Sequence, residues 1–155
     1  MLEDIQGNWR NLLPEGYETV SVEDKVDLTA DEWRERLDDR LAFDVLRREA
    51  TERAGTSKLN YEKRDGVFLC AGCDAPLFTS RMKYESGTGW PSFFATVPGA
   101  FETKRYFLLM VPRTEYHCAR CGGHHGHVFS DGPAPTGKRW CNNGVALRFL
   151  PRDSA

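Results

Sequence analysis

The hydrophobic pattern changes character near residue 66. Before that point apolar residues recur at helical intervals; after it they form short runs broken by Gly, Pro, Ser and Asp. Thr29 and Glu32 stand at capping-box spacing with Asp31 in the first turn, so a helix is expected to begin near Thr29 with Trp33 and Leu37 on one face. A second helix is expected over residues 38–53. Leu41, Val45 and Arg48 lie on one stripe, Ala42 and Leu46 lie beside it, and Gly55 is a natural stop. The runs at 67–69, 77–78, 93–97, 106–111, 127–129 and 145–150 read as strands. In the last of these, Val145, Leu147 and Phe149 alternate with Ala146, Arg148 and Leu150, which leaves one face partly wet. No βαβ spacing is present, which disfavours a doubly wound fold. The pattern predicts a mainly β protein, a compact antiparallel barrel or folded sheet with helices at its N-terminal side. Residues 1–27 have weak periodicity and a Pro- and Gly-containing turn at 11–17. They read as an N-terminal arm, packed or free, ahead of one domain over 28–155.

Composition narrows the class. A chain of 155 residues with 40% apolar and 28% charged side chains is one domain's worth of ordinary globular protein. No apolar run approaches membrane-spanning length, and MLEDIQGNWR lacks the basic start and apolar stretch of a secretory signal. A cytoplasmic protein is expected, and nothing in the sequence demands more than a monomer. The net charge of -2 hides an asymmetry: residues 1–66 carry 11 basic and 17 acidic side chains, residues 67–155 carry 10 and 6. That balance argues against nucleic-acid binding.

Five cysteines leave one without a pair. Cys70-Ala-Gly-Cys73 and Cys118-Ala-Arg-Cys121 are two knuckles with 44 residues between them. Two such turns present four thiolates tetrahedrally, which suits Zn²⁺, and a closed four-thiolate shell makes that metal structural. Gly72 and Gly122–Gly123 are expected to let the backbone turn tightly and to aim amides at the sulfurs. A pair of thioredoxin-like redox motifs is the alternative.

Cys141 remains, in GKRWCNNG. A buried core cysteine is the ordinary reading. Lys138 and Arg139, as cationic flanks, favour a thiolate and so a reactive group. His124, His125 and His127 follow the second knuckle. His124 and His127 are either acids or relays for a cysteine nucleophile, or groups around the zinc or on the surface. SGTGWPSF over 86–93 is a rigid turn carrying Trp90, either a pocket wall or core filler.

Taken together these segments resemble the B-type peptide-methionine (R)-S-oxide reductases. The likeness runs from about Thr29 to Arg152: RREATER, the first knuckle with APLF, SGTGWPSF, the second knuckle, and HHGHVFSDGPAPTGKRWCNN. The resemblance implies a mostly β, two-lobed sheet core pinned by zinc at the four cysteines. It implies Cys141 as nucleophile, with His124, His127, Arg139 and Asn143 as the other catalytic residues and Trp90 holding the substrate methyl. It also implies attack of Cys141 on methionine-R-sulfoxide in oxidised proteins or peptides. The oxygen must gain protons to leave as water, and Cys141 is left as a sulfenic acid. Many family members carry a resolving cysteine in the turn before GWPSF; Thr88 stands there in this chain, so thioredoxin or a low-molecular-weight thiol is the expected reductant. Trp140, Asn142 and Gly144 also depart from the family's tyrosine, small apolar residue and serine. A non-catalytic binding module on the same fold has no need of Cys141, Arg139 and Asn143 together. A zinc deaminase would need an H-x-E motif, which is absent.

Overall fold

The computed structural model describes residues 2–108 and 111–153. Three short α-helices precede the sheets: α1 (Leu2–Gly7), α2 (Ala30–Arg36) and α3 (Arg40–Arg48). Thr29 caps α2 as its sequence predicts: its hydroxyl accepts from Glu32 N–H while the Glu32 carboxylate accepts from Thr29 N–H. The second helix is shorter than expected. Asp39 caps its start, and Glu49 ends it in a left-handed conformation at φ 59°, well before Gly55. Its buried face is Ala42, Phe43, Val45 and Leu46, whereas Leu41, expected on the apolar stripe, is exposed.

The strands are β1 (Gly66–Cys70), β2 (Pro76–Thr79), β3 (Lys83–Tyr84), β4 (Ser92–Phe93), β5 (Phe101–Leu108), β6 (Val111–Cys118), β7 (His124–Phe129), β8 (Arg139–Asn142) and β9 (Leu147–Pro151). They form two antiparallel sheets, one ordered β2-β1-β9 and one ordered β3-β4-β8-β7-β6-β5. The expected barrel is not formed: both sheets are open. Closure requires edge strands of compatible length and shear. Here the six-stranded sheet ends in a two-residue strand at β3 and an eight-residue strand at β5.

Aromatic rings fill the space between the sheets. Phe78 stacks on Phe93 at 3.8 Å, Phe68 meets Phe93 edge-on at 5.0 Å, and Phe101 meets Tyr116 at 4.6 Å. The strand expected at 106–111 is the end of a hairpin, divided between β5 and β6, and its residues 109–110 lie outside the described residues. Within the first 27 residues, Trp9 and Leu12 are buried and join the core of the two sheets.

Candidate active site

Both knuckles fold as the same turn. Cys70 N–H donates to Ala75 O and Asp74 N–H to Cys70 O; Cys118 N–H donates to Gly123 O and Gly122 N–H to Cys118 O. The residue after each second cysteine is left-handed, Asp74 at φ 67° and Gly122 at φ 75°. Gly72, expected to make the first turn, has no such conformation; Asp74 makes it instead. Cys70 and Cys73 flank the turn after β1. Cys118 ends β6 and Cys121 follows it, so the cluster joins the two sheets. The four sulfurs lie within 4.8 Å of one another, with Cys70–Cys121 at 3.8 Å and Cys73–Cys118 at 3.5 Å. A tetrahedron of thiolates around zinc has edges of ~3.8 Å, from Zn–S bonds of ~2.3 Å. All four are buried and none is in a disulfide.

The surroundings of the sulfurs fit a ligated metal. Gly123 N–H donates to Cys121 Sγ at 3.4 Å. Asn142 Nδ2 donates to His125 Nδ1 at 3.2 Å, which leaves the ring proton on Nε2, 3.3 Å from Cys70 Sγ. Tyr116 Oη completes the chain by donating to Asn142 Oδ1 at 2.8 Å. A donor aimed at Cys70 is accepted more strongly by a thiolate than by a thiol, and zinc ligation supplies the thiolate. Arg47, stacked on Trp33, ties α3 to the cluster through Cys121 O at 2.9 Å.

Cys141 sits mid-sheet, with Ser92 of β4 opposite on one side and His127 of β7 opposite on the other. It is half-buried at the wall of a cleft of ≈ 340 Å³ that also receives His127, Trp90, Arg139, Asn143 and Thr88. None of the four clustered cysteines lines it. Arg139 is fixed by a two-point ion pair with Asp131, at 2.9 and 3.2 Å, and lies over the Phe129 ring. Burial raises the Cys141 thiol above its ordinary range. The Arg139 charge and hydrogen bonds from Thr88 and Arg139 pull it down, but by less. The cationic flanks do not by themselves yield a low-pKa thiol, contrary to the expectation from sequence.

The other expected residues divide into those facing the cleft and those behind it. Trp90 is held by its indole N–H, which donates to Glu52 O at 3.0 Å; it is pocket wall, not core filler. Its turn needs Gly89 at φ 94°, because a Cβ there would stand 2.9 Å from Ala54 Cβ. Asn143 acts mainly on the backbone, accepting from Glu52 N–H and donating to His125 O, both at 2.9 Å. His124 does not line the cleft. It lies behind His127 with ring centroids 5.7 Å apart, and burial lowers its pKa to about 4. His127 is shifted down by burial and by Arg113.

Glu52 was not singled out for this role in the sequence. It is buried, its carboxylate accepts Val145 N–H at 2.8 Å, and its backbone positions both Trp90 and Asn143. The only sequence signal for it is its place in RREATER. Thr51, also within RREATER, Gly126, Phe129 and Asn142 line the cleft as well, as does Arg113, which carried no signal in the sequence.

The SelR domain matches residues 39–151. The chain belongs to the MsrB family. The peptide methionine sulfoxide reductase MsrB of Pseudomonas putida (strain W619) is 50% identical over 133 residues, covering 84% of this chain and 98% of that protein. The protein of the same name from Pseudomonas entomophila (strain L48) is 48% identical over 131 residues, covering 83% and 98%. That of Methanosarcina barkeri (strain Fusaro / DSM 804) is 46% identical over 128 residues, covering 80% and 87%. The SelR match starts at Asp39, the cap of α3, and ends with β9, so both knuckles, the Trp90 turn and Cys141 lie inside it. Trp9 and Leu12 lie outside it although they share the same core. No helix among the described residues is long and apolar enough to cross a membrane.

Proposed function

We propose that this MsrB family member reduces methionine-R-sulfoxide in oxidised proteins or peptides at Cys141, and that an external thiol regenerates it. Family membership makes the chain a methionine sulfoxide reductase; the stereochemistry, the residue roles and the reductant are our reading. The observation that carries it is the meeting of Cys141, His127, Trp90 and Arg139 in one open cleft.

The chemistry divides into two balanced steps. The Cys141 thiolate attacks the sulfoxide sulfur. The S–O bond breaks, the oxygen passes to the Cys141 sulfur, and two electrons reduce the sulfoxide to the thioether. Methionine leaves and Cys141 is a sulfenic acid. Water forms only in the second step, when an external thiol attacks the sulfenic sulfur to give a mixed disulfide; a second thiol then releases Cys141. In the first step His127 guides the proton to the sulfoxide oxygen, backed by His124. Both imidazoles are shifted toward the neutral form, so they act as relays between proton donors and acceptors rather than as charged acids. Arg139 favours the thiolate. Trp90 offers an apolar face to the S-methyl group. Asn143 and Glu52 position these groups through the backbone. Thr88, beside the thiol, supplies no resolving sulfur, which is why the reductant is external. Zn²⁺ held by Cys70, Cys73, Cys118 and Cys121 supplies cross-linking of the sheets and no reaction chemistry.

A single-turnover reaction without reductant tests this. Peptides carrying the R or the S sulfoxide are mixed with excess enzyme, and the products and enzyme mass are followed. The R form should yield one methionine per enzyme and one added oxygen on Cys141, with both lost in Cys141→Ser. Reduction of the S form alone, activity surviving Cys141→Ser, or a disulfide between Cys141 and a knuckle cysteine in zinc-loaded enzyme would each overturn the reading.

A further inference from the structure

We propose that Glu49, Glu115, His117 and His124 form a second metal site, distinct from the four cysteines, that takes a divalent transition-metal ion of the zinc or cobalt kind. Their donor atoms all lie within 4.8 Å of one another. Three elements converge to make the cluster. Glu115 and His117 are two apart on β6 and so share a face. His124 on β7 stands directly opposite His117 in the strand register, and Glu49 comes in from the end of α3.

His124 points to a missing partner. It is 2% exposed, yet neither ring nitrogen has a hydrogen-bond partner among the described residues. Buried polar atoms of this kind are nearly always satisfied. Its Nδ1 is 3.8 Å from Glu115 Oε2, and His117 Nε2 is 3.4 Å from Glu115 Oε1. The first contact is too long for a hydrogen bond. Burial and the neighbouring Glu49 raise the Glu115 carboxyl, while His117 and Lys104 pull it down by less.

The donor set selects the ion. Two imidazoles and two carboxylates suit zinc, cobalt, nickel or copper, whereas magnesium and calcium prefer all-oxygen shells. Two carboxylates offset a divalent charge. Glu49 is exposed, so an ion has a way in, and its flexible side chain can close the last distance to a compact shell. His124 also backs His127 of the cleft. A metal that fixes the His124 ring therefore removes it from proton movement, and occupancy should slow turnover. That consequence rests on the proposed reductase reading; the site itself does not.

The test uses the whole protein with its cysteine site loaded with zinc. Co²⁺ is titrated under equilibrium dialysis, with metal analysis and visible spectra. We expect one added Co²⁺ per chain with one Zn²⁺ retained, and ligand-field bands without thiolate charge transfer. His117→Ala, Glu49→Gln and the pair combined should weaken that binding at least ~10-fold, the loss typical even of an outer-shell partner. No added Co²⁺, or binding of unchanged affinity in the double variant, would overturn the site. In the same samples Co²⁺ should slow sulfoxide reduction by the wild type and not by the double variant. Binding without slowing would overturn the coupling to the cleft while leaving the metal site established.

Discussion

Cys141 is pulled in opposite directions by its surroundings, and burial is the stronger pull. The thiol is raised above its ordinary range even with Arg139 and Thr88 acting to lower it. At neutral pH the thiol form therefore dominates, and the rate of the first oxygen transfer should climb with pH until the thiol titrates. Arg139→Ala removes both a charge and a hydrogen bond that favour thiolate. The thiol then titrates at still higher pH, and the single-turnover rate at neutral pH falls about tenfold for each unit of that displacement. Alkylation of Cys141 by iodoacetamide across a pH series measures the titration directly. A profile unchanged in Arg139→Ala would show that the guanidinium serves Phe129 and Asp131 rather than the sulfur. The cysteine, Arg139, the tryptophan turn and His127 were legible in the sequence, whereas the place of His124 behind the cleft was not. The net sign of the thiol shift was not, because flanking charges are visible in a sequence while the burial that outweighs them is made by distant strands β4 and β7.

Elements were legible where their pattern was local. The Thr29 cap and the two knuckles are short-range, and both are where the sequence put them. The eight-residue strands β5 and β6 were legible only where the expected run 106–111 overlaps them; β5 is an edge strand whose residues 102–105 are exposed, so that part lacks the period of a half-buried strand. β8 reads as polar loop, RWCN, and becomes a strand only between β4 and β7. Barrel closure failed for a reason of length, which run-counting does not register. The N-terminal segment gave the weakest signal, yet Leu12 is 1% exposed and packs in the core with β1. Leu12→Ala should therefore destabilise the protein by about 2–5 kcal/mol, the usual range for a buried leucine truncation. Denaturant unfolding should show the loss, while the folded variant keeps wild-type turnover, since Leu12 does not line the cleft. A loss below ~0.5 kcal/mol, the range of a surface change, would mean the segment adds little to the core.

At the scale of the whole molecule the two open sheets need a connection, and the cysteine cluster is placed to provide it. Cys70 closes β1 in one sheet and Cys118 closes β6 in the other. From Cys70 a chain of donors runs back through His125 to Asn142, the neighbour of Cys141, so the cluster and the cleft share a rigid link. Binding free energies for structural zinc, roughly 10–16 kcal/mol in small domains, are as large as the ~5–15 kcal/mol that holds an ordinary domain folded. Removing the metal should then unfold the sheets rather than loosen a loop. Titration with a strong chelator should abolish the thermal transition and the reductase activity over the same range of zinc loss, and readdition of Zn²⁺ under reducing conditions should restore both. Cys70→Ser should behave like the chelated protein. Cys141→Ser should keep its melting temperature within a few degrees of wild type while losing turnover. If the chelated protein stayed folded and its four thiols oxidised to two disulfides, the cluster would be a pair of redox motifs. The separation between a holding role for four sulfurs and a reacting role for the fifth would then be lost.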